Sequence, residues 1–187
     1  MRKLSVFESI STDGFFCDEK NDMSWAHRGP DAEFDGFTAE NAGGGGTLLF
    51  GRVTYELMKS YWPTPKAQQD QAAVAEGMNN LEKIVFSRTL EDPGWKNARI
   101  VNGDPAGAVR ELKQGSGSDL VLMGSGSIVS QLTQARLVDS YQFVVVPIIL
   151  GKGRTLFEGV KDRLNLKLTK SRPFKNGNVV VWYEPAK

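Results

Sequence analysis

The chain lacks several residue types on which common protein functions depend. Among its 187 residues there is one cysteine, Cys17, and one histidine, His27. A single cysteine excludes an internal disulfide and is typical of a reducing compartment. A single histidine excludes metal sites built from several histidines and argues against a Ser-His-Asp triad. We therefore expect no metal and a cytoplasmic location.

Long apolar runs and an excess of charge of one sign are also missing. No stretch reaches the roughly 20 apolar residues that a membrane-crossing helix needs, and the amino-terminal "MRKLSVFESIS" does not read as a signal peptide. Lys plus Arg number 23 against 22 for Asp plus Glu, so the clustered basic surplus of a nucleic-acid-binding protein is absent. We expect neither a nucleic acid nor a membrane as partner.

What the chain does contain is a regular alternation of strand and helix signals. Short apolar, β-branched runs such as 47–51 and 119–124 are each followed by a segment of helical character. This alternation predicts an α/β fold with a mostly parallel sheet of about eight strands and helices on both faces. The last two β-rich stretches, 164–174 and 178–184, predict an antiparallel hairpin. With no break in composition, residues 1–187 are predicted to form a single domain.

Helices are predicted from apolar spacing and from start signals. The segment 52–62 stacks Val53 and Leu57 on one face, and 66–81 is rich in alanine and glutamine, which favour helix. Asp104, followed directly by proline, suits the N-cap of a further helix.

One predicted strand-to-helix junction carries an unusual concentration of glycine and serine. In "VLMGSGSIV" the predicted strand runs into Gly124, Ser125, Gly126, Ser127 and Ile128. A helix start presents N–H groups without intrahelical partners, and glycine lets a phosphate approach the backbone closely. A tight turn alone explains the same glycines, so this junction by itself leaves both interpretations open.

Two further junctions favour an anion site. In "LLFGRVTYE", Gly51 ends a strand and Arg52 and Thr54 occupy the first helical turn, although arginine opposes the helix dipole there. In "IVFSRT" a strand ends at Ser87 and Arg88. A guanidinium matches phosphate oxygens in a bidentate geometry. The alternative is that both arginines are solvated and that the threonine only caps its helix.

These residues resemble a known family. The dihydrofolate reductase superfamily shows similar segments in the same order, and the resemblance is strongest to the reductase domain of the bacterial bifunctional riboflavin-pathway deaminase-reductase. The matching segments are "STDGFF", "LLFGRVTYE", "KIVFSRTL", "VLMGSGSIVSQL" and "LVDSYQFVVVPIILGKGRTLF". The resemblance implies a dihydrofolate-reductase-like, mixed, mostly parallel eight-stranded sheet with an antiparallel C-terminal edge strand. It also implies NADPH as hydride donor and a homodimer.

The resemblance assigns expected roles to particular positions. Residues expected to meet the cofactor phosphates are Gly51, Arg52, Thr54, Gly124, Ser125, Gly126, Ser127 and Ile128. The ribose 2′-phosphate is expected to meet Ser87 and Arg88. Asp13 matches an acid that lies close to substrate and is the expected catalytic residue, while Trp25, Asp31 and Glu33 are expected to bind substrate. The run Gly43–Gly46 departs from the family pattern, so the register of the first helix stays open. It is therefore also open which acid of this helix corresponds to the carboxylate that binds substrate in the family.

The expected function is hydride transfer from NADPH to a small pterin-like or pyrimidine-like heterocycle. An alternative is the reductase step of the riboflavin pathway, which acts on 5-amino-6-(5-phosphoribosylamino)uracil. Lys152 and Arg154 are then candidates to hold the substrate phosphate. No deaminase zinc signature is present. A third possibility, from a different class, is a non-catalytic NADPH-binding protein.

Overall fold

A computed structural model describes residues 1–27 and 29–186. Its ten strands are β1 (Leu4–Ser11), β2 (Phe15–Cys17), β3 (Thr47–Gly51), β4 (Glu82–Phe86), β5 (Ala98–Val101), β6 (Leu120–Met123), β7 (Ser140–Val146), β8 (Arg154–Thr155), β9 (Leu166–Pro173) and β10 (Val179–Pro185). Its six α-helices are α1 (Ala32–Gly43), α2 (Arg52–Tyr61), α3 (Pro65–Asp70), α4 (Ala72–Asn80), α5 (Pro105–Gln114) and α6 (Gly126–Gln134), and a short 3-10 helix spans Ser24–Ala26.

Eight of the strands form one sheet in the order β5-β4-β3-β6-β1-β7-β10-β9. The six strands from β5 to β7 are mutually parallel. The C-terminal strand β10 is antiparallel to β7 and to the outermost strand β9. The predicted mixed, mostly parallel eight-stranded sheet is therefore confirmed. Strands β2 and β8 form a separate two-stranded sheet.

Both faces of the sheet are buried by helices, which explains why its strands have nearly continuous apolar sequences. Successive residues of a strand point to opposite faces: Leu48 packs into the cluster containing Tyr55 of α2, whereas Leu49 packs into the cluster containing Val109 of α5. A third cluster joins Phe37 of α1 to β7 and β10. No helix within residues 1–27 and 29–186 is long and apolar enough to span a membrane.

The helix predicted over 66–81 is divided in two at Gln71, whose backbone leaves the helical region (φ −149°, ψ 64°). Gly77 lies inside α4, where a Cβ atom would stand 2.5 Å from the carbonyl oxygen of Ala42 at the end of α1. The glycine therefore allows α1 and α4 to approach closely. Between β1 and α1 the chain forms β2 and the 3-10 helix.

Candidate functional site

The carboxyl ends of the central parallel strands form one rim of the sheet. Gly51 at the end of β3 lies opposite Phe86 at the end of β4, so Ser87 follows at the same rim. Strand β6 lies on the other side of β3 and ends at Met123, just before Gly124. The three junctions singled out in the sequence are thus neighbours in space.

A hydroxyl network connects two of these junctions. The backbone N–H of Gly51 donates to Oγ of Ser125 at 2.7 Å, and this Oγ donates to Oγ1 of Thr54 at 2.9 Å. Ser125 adopts a left-handed backbone conformation (φ 65°) that is uncommon for a residue with a side chain. The two hydrogen bonds hold it there. The start of α2 is therefore fixed to the start of α6.

The glycines at these junctions allow close packing within the chain. Gly124 has φ +60°, and a Cβ atom there would lie 2.7 Å from Cγ2 of Thr54. At Gly51 a Cβ would lie 2.7 Å from Oγ of Ser125, and at Gly126 it would lie 2.8 Å from the Phe16 ring. These glycines are required by the fold itself, so their presence is not independent evidence of a ligand.

The helix starts are better evidence for an anion site. No side chain of the described residues caps α2, α4 or α6, whereas the side chains of Asp31, Thr64 and Asp104 cap α1, α3 and α5. Of the three uncapped helices, α2 and α6 directly follow the adjacent strands β3 and β6. The predicted N-cap role of Asp104 is thereby confirmed. The first N–H groups of a helix have no intrahelical acceptor, and α2 and α6 present such groups from two adjacent strands. This arrangement can bind an anion.

The predicted cofactor residues differ in how free they are to bind a ligand. Arg52 forms an ion pair with Glu56 at 2.8 Å, which accounts for an arginine in the first turn without any ligand. Ser87 Oγ accepts from the N–H groups of Thr89 and Leu90, and Arg88 is exposed. Ile128 packs into the core.

Asp13 lies beyond the end of β1, and its carboxylate holds a loop after β7. It accepts from Oγ of Ser11 at 2.7 Å and from the N–H groups of Leu150 and Gly151 at 3.1 and 2.7 Å. The hydrogen bond from Ser11, followed by those from Gly151 and Leu150, lowers the pKa of Asp13. An ionised carboxylate of this kind can position a loop but is a poor proton donor near neutrality.

The three predicted substrate residues also make contacts within the chain. Asp31 is the N-cap of α1 and also accepts from the N–H of Asn176 at 2.9 Å. The pKa of Asp31 is lowered, chiefly by that hydrogen bond. Glu33 pairs with Arg172 at 2.8 Å. The Trp25 indole donates to the carbonyl of Asp22 at 3.0 Å.

A cleft of about 520 Å³ adjoins the loop that Asp13 holds. Its lining residues are Asp18, Glu19, Lys20, Leu150, Gly151 and Lys152. Its two lysines are balanced by two acids, and Lys152 is one of the residues that the sequence suggested for a substrate phosphate. Arg154, the other candidate, lies over the Phe16 ring and donates to Asn21.

One residue near the rim was not predicted from the sequence. Glu8 on β1 is only 5% exposed, and burial raises the pKa of its carboxyl to about 8. The sequence signal is its register, since Glu8 shares a strand face with the core residues Leu4 and Val6.

Comparison with known proteins finds relatives and solved structures that match nearly the whole chain. The chain is 29% identical over 182 residues to the uncharacterized protein YyaP of Bacillus subtilis, covering 97% of this chain and 94% of that protein. A crystal structure of a candidate riboflavin biosynthesis protein from a Shewanella species superposes with a TM-score of 0.76 at 20% identity, covering 99% of both chains. Dihydrofolate reductase from Enterococcus faecalis, complexed with NADP(H), superposes with a TM-score of 0.66 at 14% identity, covering 99% of this chain and 97% of that chain.

The two structural matches show the fold, which is that of dihydrofolate reductase and its relatives. The family model of the RibD C-terminal domain matches residues 2–180, nearly the whole chain. The protein belongs to the RibD C-terminal domain family.

Proposed function

We propose that the protein is an NADPH-dependent reductase that transfers a hydride to a small pterin-like or pyrimidine-like heterocycle. The observation that carries the proposal is the pair of uncapped helix starts, α2 and α6, on adjacent strands of one rim. Membership of the family supports an oxidoreductase. The NADP(H) complex of the E. faecalis enzyme makes NADPH the cofactor to test first.

The residues at the rim fit a dinucleotide with a 2′-phosphate. The N–H groups that open α2 and α6, at Arg52 and at Gly126 and Ser127, would hold the pyrophosphate. Ser87 and the exposed Arg88 would hold the 2′-phosphate and would favour NADPH over NADH. NADPH supplies the hydride when it is bound.

At the substrate end, we propose that Asp13 acts by fixing the loop at Leu150 and Gly151. Its lowered pKa and its three hydrogen bonds support this positioning role rather than proton donation. Trp25, Asp31 and Glu33 remain candidate substrate contacts. We also propose that the protein works as a homodimer in the cytoplasm.

Turnover tests the proposal directly. NADPH oxidation is followed by absorbance with a panel of dihydropterins and aminopyrimidinones, using the wild type, Asp13→Asn and the control Asp35→Asn. Asp35 is an exposed acid in the first turn of α1. We expect Asp13→Asn to lower turnover by about 10²-fold, the order that misplacing a catalytic segment costs. It should still bind NADPH, and Asp35→Asn should resemble the wild type.

Two results would contradict this account. Full turnover by Asp13→Asn would remove the role given to Asp13. NADPH binding without oxidation by any heterocycle in the panel would favour the non-catalytic NADPH-binding protein.

The cleft beside Leu150 and Gly151 favours a second candidate substrate, the phosphoribosylated aminouracil of the riboflavin pathway. Lys20 and Lys152 line it, and an ammonium group is a suitable partner for a phosphate. If this candidate is correct, Lys152→Ala will raise KM for the phosphorylated pyrimidine and leave KM for its dephosphorylated form unchanged. An equal effect on both substrates would argue against a phosphate site in the cleft.

A further inference from the structure

Glu8 presents a buried carboxyl for which the described residues supply only part of the hydrogen bonding. Its Oε1 accepts from the N–H of Ser9 at 3.0 Å. Its Oε2 is buried and has no hydrogen-bond partner within residues 1–27 and 29–186. Since an unpaired buried charge is costly, a carboxyl in this position is expected to be neutral.

This carboxyl packs against the turn that joins β6 to α6. A Cβ atom on Gly124 would lie 3.2 Å from Oε2 of Glu8 and 3.0 Å from Oγ1 of Thr54. Glycine at this position therefore lets Glu8 and Thr54 meet the same backbone segment from β1 and α2. Through Thr54 and Ser125 the hydroxyl network continues to Gly51. Glu8 thus packs against the turn that links the start of α6 to the start of α2.

The groups around Glu8 provide little charge to balance an ionised carboxylate. From β6, α6 and α2 the neighbours are the uncharged Gly124, Ser125 and Thr54, and β7 places Phe143 opposite Glu8. A titratable neighbour is Cys17 on β2. Burial raises the pKa of this thiol, and the charge of Glu8 adds to the effect.

Two charged groups near the thiol act on Cys17. Arg154 on β8 lowers the pKa of Cys17, and Asp18 raises it. For Glu8 itself the dominant influence is burial, which raises its pKa to about 8, and the amide groups of Ser9 and Gly124 act in the opposite direction. The carboxyl is accordingly protonated at neutral pH.

We infer, on the basis of the proposed function, that Glu8 is a positioning residue that must be uncharged for the Gly124–Ser125 turn to accept the phosphates of a dinucleotide. A neutral carboxyl packs against the turn without adding charge to it. An ionised one places a negative charge beneath the phosphates and attracts the N–H groups of the turn toward itself. Nucleotide binding is therefore coupled to one proton on Glu8.

The test is the dissociation constant of NADPH, measured by calorimetry from about pH 7 to about pH 9.5. If only protein with a neutral Glu8 binds, the constant in the wild type rises about thirtyfold over this interval. Glu8→Gln, which keeps the shape and cannot ionise, should bind like the wild type at the lower pH and lose no affinity at the higher one. The nucleotide itself does not interfere, because phosphate monoesters lose their second proton near pH 6.

Two control variants isolate Glu8. Cys17→Ser removes the thiol on which the charge of Glu8 acts, and Lys83→Met removes a second buried group whose pKa lies at about 8. Lys83 is the second residue of β4, toward the opposite rim of the sheet. Both variants should lose affinity with pH as the wild type does.

The outcomes separate this inference from the proposed function. If the NADPH dissociation constant of the wild type does not change with pH, the inference is wrong and the proposed function stands. The same holds if Glu8→Gln loses as much NADPH affinity with rising pH as the wild type. If Glu8→Gln does not fold, the wild-type and Cys17→Ser profiles still decide the question. Absence of NADPH binding at every pH overturns both.

Discussion

At Gly124 the main-chain conformation and the packing each require glycine. Its φ of +60° is strained for any residue with a side chain, and the space beside its Cα is filled by Thr54 and Glu8. The requirement comes from contacts between segments that are distant in the sequence. The local sequence could therefore indicate that glycine is required at position 124, but it could not show that Thr54 and Glu8 fill the space beside it.

Gly124→Ala should lower the free energy of unfolding by about 3 kcal/mol, from left-handed backbone strain together with overpacking against Thr54 Cγ2. Thr54→Ser removes that methyl group and keeps the hydroxyl that meets Ser125. In urea unfolding, the double variant should therefore recover part of the loss. Strict additivity of the two substitutions would show that the methyl contact is unimportant.

At the scale of elements, a buried lysine connects α4 to the loop between β4 and β5. Nζ of Lys83 donates to the carbonyl oxygens of Asn79, Leu81 and Lys96 at 3.2, 2.7 and 3.0 Å and lies 4.6 Å from the centroid of the Trp95 ring. Burial lowers the pKa of Lys83 to about 8. The side chain thus donates to carbonyl groups at the end of a helix and in the loop that precedes β5.

Lys83→Met should destabilise the protein by about 3 kcal/mol, because three carbonyl groups lose a charged donor in a buried environment. Denaturant unfolding measures the effect. Lys66→Met is the control, since Lys66 forms only an exposed i,i+4 pair with Asp70 and should change stability by less than about 0.5 kcal/mol. Equal effects at the two positions would contradict the role given to Lys83.

Periodicity identified the helices more reliably than it identified their buried faces. It placed Val53 and Leu57 together on one face of α2, and the structure leaves these side chains 58% and 47% exposed. The buried residue is Tyr55, whose hydroxyl donates to the carbonyl of Pro93 at 2.9 Å. An aromatic ring with a polar tip can be buried when a distant acceptor is available, and the local pattern does not contain that information.

At the scale of the whole molecule, the sequence predicted the fold class and the segments of the rim, whereas their arrangement follows from strand order. Strand β6 lies between β3 and β1, so Gly51, Glu8 and Gly124 become neighbours although they are far apart in the chain. Glu8 was not predicted as a site residue because a single acid in a β-rich run matches no sequence motif. Its importance depends on the two strands and the turn that enclose it.

The same strand order brings together the residues that are proposed to select NADPH over NADH. The N–H groups that open α2 and α6 can hold a pyrophosphate that NADPH and NADH share, and only Ser87 and Arg88 are proposed to distinguish the two nucleotides. A substitution at Arg88 should therefore change selectivity while leaving the affinity for the shared part intact.

Equilibrium binding of NADPH and NADH to the wild type and to Arg88→Ala, measured by calorimetry with thermal unfolding in parallel, tests the central claim most directly. The account predicts that the wild type binds NADPH more tightly and is stabilised by about 2.7 kcal/mol at 100 times the dissociation constant. Arg88→Ala should weaken NADPH binding by about tenfold or more and leave NADH binding unchanged. No heat and no stabilisation with either nucleotide would contradict the account.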